Sequence, residues 1–129
     1  MRAAVTAFTL IELLVVLLIA ALLLTLALPA YQEHQRKGRR TEVAGLLLEN
    51  AQQLERQRAL QGAYTAVAGL HQQSPRKGKA LFQIALEFDQ HSYRLSARAV
   101  AGGLMQDDPC NYYQLDHLGQ RLPADARCW

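Results

Sequence analysis

From Phe8 to Ala30 the chain carries one charged residue, Glu12. A run of roughly twenty apolar residues crosses a bilayer as a helix. A single carboxylate near the start of such a helix is costly and asks for a partner. The run exceeds the roughly 7–15 apolar residues of a secretory signal. No small-x-small site with a polar flank closes it, Leu28-Pro29-Ala30 being the nearest approach. The segment is therefore expected to stay on the protein. Pro29, near its end, is expected to kink or loosen the helix.

The helical pattern continues beyond Pro29. Val43, Leu47, Ala51 and Leu54 recur at the spacing of one helix face. Gly62 is a natural C-terminal stop. One helix from about Phe8 to Gln61 would be on the order of 80 Å long. That is more than a domain built from the remaining residues can cover, so the first half must lie in something apolar, a membrane or copies of itself. Ala63 to Lys79, with Gly69, Pro75 and Gly78, reads as a loop. Leu81–Phe88, Tyr93–Val100 and Asn111–Asp116 read as strands, with Asp89-Gln90-His91-Ser92 as a turn and Gln120–Leu122 as a short fourth strand. The predicted class is α+β: a long N-terminal helix packed on a four-stranded antiparallel sheet, one face buried against Val43, Leu47 and Leu54.

The net charge of +3 is mild and implies neither a nucleic-acid groove nor an acidic ligand. His34, His71, His91 and His117 are scattered without metal-ligand spacing and read as surface or turn residues. Asp107-Asp108 runs into Pro109-Cys110, which ends any calcium-loop pattern and leaves turn chemistry. Phosphate-cradling loops and nucleophile elbows are missing, so neither an enzyme nor a cofactor is expected. Cys110 and Cys128 are too few for a tetrahedral metal site and are not C-x-x-C. A structural disulfide is favoured over a redox pair, stabilising by about 3 kcal/mol on the loop-entropy model. It requires an oxidising compartment. Arg36-Lys37-Gly38-Arg39-Arg40 reads as a solvated helix face or a lipid head-group contact, with DNA binding less favoured. By the positive-inside rule this cluster belongs in the cytoplasm. The cysteines place the domain outside it, and a disulfide's need for an oxidising compartment outweighs the charge rule.

Ala7-Phe8-Thr9-Leu10-Ile11-Glu12-Leu13, followed by the apolar run, resembles the class III signal of type IV prepilins. The usual form has Gly where this chain has Ala7, and the leader here has one basic residue, Arg2. Pro29-Ala30-Tyr31, Arg39-Arg40-Thr41-Glu42, Gly62-Ala63-Tyr64 and the closing Cys110, Leu115-Asp116, Gly119 and Cys128-Trp129 are similar to PilE-type minor pilins. The resemblance implies a pilin-like fold with a disulfide bracketing a C-terminal loop. It implies a leader over residues 1–7, cut between Ala7 and Phe8 by prepilin peptidase, and N-methylation of Phe8. Residues 8–30 would be the transmembrane and assembly half of the helix. Residues 31–129 would be the periplasmic globular domain, on an inner-membrane single-pass protein that later enters an extracellular fibre. Glu12 would serve subunit assembly. The implied partners are major and minor pilins, the peptidase, the inner-membrane assembly platform and membrane lipid. The implied function is a minor pilin taking part in pilus assembly, twitching motility and adhesion. A type II secretion pseudopilin and a DNA-binding competence pilin, using exposed Arg and Lys, are the alternatives.

Overall fold

Strong helix formers and an unbroken apolar run carry the chain into one α-helix, α1, over Leu10–Gln61. The computed structural model describes residues 7–129. The rest of the expected leader, residues 1–6 with Arg2, lies outside them. Pro29 sits inside α1, which continues past it. At the other end Gly62 adopts φ 80° and donates its N–H to the Arg58 carbonyl at 2.7 Å. This is a left-handed helix cap that a residue with a Cβ would strain.

Two compact units divide between His34 and Gln35. In the first, α1 is apolar and long enough to cross a membrane, and the side chains of its most apolar stretch are all outside any core. The second unit contains the remainder of α1 and a five-stranded antiparallel sheet in the order β1-β2-β3-β4-β5. Its strands are β1 Gln73–Ser74, β2 Phe82–Phe88, β3 Tyr93–Ala99, β4 Tyr112–Asp116 and β5 Arg121–Leu122. The count is one more than the sequence predicts. The added strand, β1, lies within the stretch expected to be loop and pairs Gln73 with Gln83 and Ser74 with Phe82. Two residues are too few to display a period of two, so the Gly and Pro around them dominate the pattern.

The core has the expected origin. Val43, Leu47, Ala51 and Leu54 from α1 are buried against Phe82, Leu95, Ala97, Tyr113 and Leu115 from the sheet. Along β3 the alternation is direct: Tyr93, Leu95 and Ala97 face in, while Arg94 and Arg98 face out. Asp89 closes the β2–β3 turn, its Oδ1 accepting the N–H groups of His91 and Ser92 at 2.7 and 2.8 Å.

Candidate functional site

In the first unit, Ala7, Phe8 and Thr9 precede the helix and are exposed, Phe8 at 81 %. Thr9 is the N-cap. Its carbonyl accepts the Leu13 N–H at 3.2 Å, and its Oγ1 accepts the Glu12 N–H at 3.3 Å. Glu12 therefore lies within the first turn, where the helix dipole favours a negative charge. Ile11, Leu13, Leu14 and Val15 around it are also exposed. The segment presents one carboxylate on an otherwise apolar surface. That arrangement suits a neighbour offering apolar side chains and a single cation. The sequence reading did not single out Thr9, although a hydroxyl three residues before an acidic residue at a helix start is a recognisable signal.

In the second unit, Cys110 and Cys128 are buried and bonded, with Cα atoms 5.6 Å apart. Two expectations for this region need correction. Arg40 is not on a solvated face: it is 7 % exposed and grips Asp108 through two bonds, Nε to Oδ1 at 3.0 Å and Nη2 to Oδ2 at 2.6 Å. Asp108 is not turn chemistry alone, being 2 % exposed. Its Oδ1 does accept the Cys110 N–H at 2.8 Å, so the turn is real but the carboxylate's main partner is the helix. The physical reason lies in helix spacing. Arg40 precedes Val43 and Ala44 by three and four positions and shares their buried face. Burial pushes the Asp108 carboxyl up. The Arg40 and Cys110 hydrogen bonds, with the Arg40 and Arg36 charges, outweigh that and hold it below the ordinary carboxylate range. Arg39 pairs with Glu42 at 2.9 Å.

His71 also departs from its expected role as a loose surface or turn residue. Its backbone exchanges two 2.8 Å hydrogen bonds with the Asn50 side chain, and its Nε2 lies 2.8 Å from Glu49. The loop before β1 is thus fastened to α1. At the end of the chain, the Trp129 indole packs edge-on against Tyr113 and donates to the Pro123 carbonyl at 3.1 Å. On the outward side of the sheet the Arg98 guanidinium lies over the Tyr112 ring, 4.8 Å from its centroid. Among the described residues no cluster of His, Cys, Asp and Glu could hold a metal ion.

The model of the family described as "Type IV minor pilin ComP, DNA uptake sequence receptor" matches residues 29–114, from the end of the apolar run to β4. The chain belongs to the type IV minor pilins. A solved type IV pilin from Shewanella oneidensis is 31 % identical to this minor pilin, with a TM-score of 0.50, over 72 % of this chain and 96 % of that one. No curated protein matches significantly. A long apolar N-terminal helix packed on an antiparallel sheet is the type IV pilin fold. As a pilin, the protein is a subunit that associates with other pilin subunits in a pilus. The matched region includes Arg40, Asp108 and Cys110; it leaves out Ala7–Leu13 and Cys128.

Proposed function

We propose that this minor pilin is made as a prepilin and joins the fibre through the start of α1. Prepilin peptidase cuts between Ala7 and Phe8, residues 1–7 leave, and the new Phe8 amine is methylated. Residues 8–30 then hold the subunit in the inner membrane, against lipid, until the assembly platform transfers it to the fibre. Residues 31–129 fold in the periplasm, where Cys110 and Cys128 are oxidised.

The observation that carries this reading is the lone Glu12 carboxylate, one helical turn from Phe8, on an exposed apolar surface. Cleavage creates a cation at Phe8, and the amine of a neighbouring subunit can meet Glu12. At about 4 Å and an intermediate effective dielectric, such a pair attracts by roughly 4 kcal/mol before desolvation. Apolar contact supplies affinity without register; the charge pair supplies register. N-terminal sequencing of the membrane-extracted protein tests the reading: a start at methylated Phe8 supports it, and a start after Ala30 overturns it. Glu12→Ala should insert in the membrane normally but enter fibres about ten-fold less, equivalent to about 1.4 kcal/mol. Incorporation is measured by immunoblot of sheared fibres.

The family description favours a second reading, DNA capture by the assembled subunit. Lys77 and Lys79 are exposed in the turn before β2, and Arg98 with Tyr112 lies on the outward sheet face. A gel shift with duplex DNA should weaken steeply as salt is raised if these cations contact phosphates. No shift at low salt would remove this reading and leave the structural one standing.

A further inference from the structure

The segment Phe8-Thr9-Leu10-Ile11-Glu12-Leu13 fills every place of a helix-start signal. Thr9 is the N-cap by its two bonds, Oγ1 from the Glu12 N–H at 3.3 Å and carbonyl from the Leu13 N–H at 3.2 Å. Glu12 stands three residues on, the spacing at which a carboxylate can reach back to the cap's own N–H. Phe8 and Leu13 occupy the two positions, before the cap and in the fourth helical place, where apolar side chains fix the angle of entry. The outcome is a sharp boundary: α1 starts at Leu10, and Ala7 and Phe8 are outside it.

From this boundary we propose that Thr9 is a positioning residue for leader cleavage, keeping the Ala7–Phe8 amide out of the helix. The inference rests on the cleavage reading above. Hydrolysis adds water across that amide. The C–N bond breaks, the hydroxyl goes to the Ala7 carbonyl carbon, and the Phe8 nitrogen leaves with the proton as an amine. An amide inside a helix has its N–H and C=O engaged and its backbone wrapped, so it must unwind before a peptidase can attack it. Of the residues upstream, Met1 to Ala4 and Ala7 are good helix formers, with β-branched Val5 and Thr6 less so. Without a stop, the apolar helix would gain by continuing through them. At the edge of a membrane, first-turn N–H groups have little water to bond, which strengthens the demand for a side-chain cap. Thr9 meets that demand at the one position that leaves the scissile bond just outside. Glu12 keeps the duty proposed above, meeting an amine after cleavage.

The test measures initial cleavage rates of the full-length precursor in membrane vesicles containing prepilin peptidase, for wild type, Thr9→Ala, Thr9→Val and Thr9→Ser. Thr9→Ala and Thr9→Val, which lack a capping hydroxyl, should lose about five-fold in kcat/KM, and Thr9→Ser should keep a rate within about two-fold of wild type. The loss should appear in KM with kcat unchanged, because the variants hold less of the chain in the extended, binding-competent form. Wild-type rates for Thr9→Ala and Thr9→Val would overturn the proposal. So would a slow Thr9→Ser, or a loss confined to kcat. If the wild-type chain itself is not cut after Ala7, the cleavage reading fails first, and the two failures are told apart by that control.

Discussion

Asp108→Ala is expected to destabilise the second unit by about 3–5 kcal/mol, because it removes the carboxylate that the buried Arg40 guanidinium grips through two bonds. Arg40→Ala should cost a similar amount by stranding the carboxylate. The double variant Arg40→Met, Asp108→Leu should recover much of the loss, since desolvation of both ions is then avoided. Thermal melts of the full chain in detergent, followed by near-ultraviolet circular dichroism, read all of these. The pair also sets a pH dependence. The Asp108 carboxyl titrates below its ordinary value in the folded protein. Its contribution is therefore fully present above the unfolded carboxylate pKa of about 3.9 and is lost as pH falls through the lower folded value. The melting temperature of the wild-type chain should drop in that acid window more steeply than that of Asp108→Asn. Equal slopes would mean the pair contributes no proton linkage.

Replacing both cysteines, Cys110→Ser with Cys128→Ser, should cost about 2–5 kcal/mol, and reductant should produce the same loss in the wild-type chain. The cost should not add to that of Asp108→Ala. Asp108 bonds the Cys110 backbone, so the two changes loosen one piece of structure. A triple variant less destabilised than the summed losses, measured by the same melts, is the expected result. Strict additivity would show that the disulfide and the ion pair act independently.

The helix face and β3 were legible because each repeats its pattern over several periods, and the other two long strands as short apolar-rich runs bounded by turn residues. Val43, Leu47, Ala51 and Leu54 display the helical spacing, and Tyr93, Leu95 and Ala97 the strand alternation. The disulfide was legible because the chain has two cysteines and no metal-binding spacing. The Arg40–Asp108 pair was not, since its partners are 68 positions apart and each sits among neighbours that favour a surface reading. Charges in a run such as Arg36–Arg40 look solvated until one of them falls on the buried side of the helix. β1 was hidden for a different reason, as its two residues gain strand character from pairing with β2 and not from their own pattern. At the proposed assembly site, Glu12 drew notice as the one charge in an apolar run. Thr9 did not, because its role depends on where the helix begins.

The tie between Arg40, Asp108 and the disulfide also has a mechanical meaning. Within the second unit, a pull applied at Gln35, where its part of α1 begins, would reach Arg40 within two turns. From Arg40 the bonds that could carry such a load run to Asp108, to the Cys110 backbone, and across the disulfide to Cys128. If the unit were drawn open, the covalent bridge would withhold the segment between the cysteines, a separation of 18 residues. At the reach of an extended chain this is about 60 Å of slack that tension cannot release.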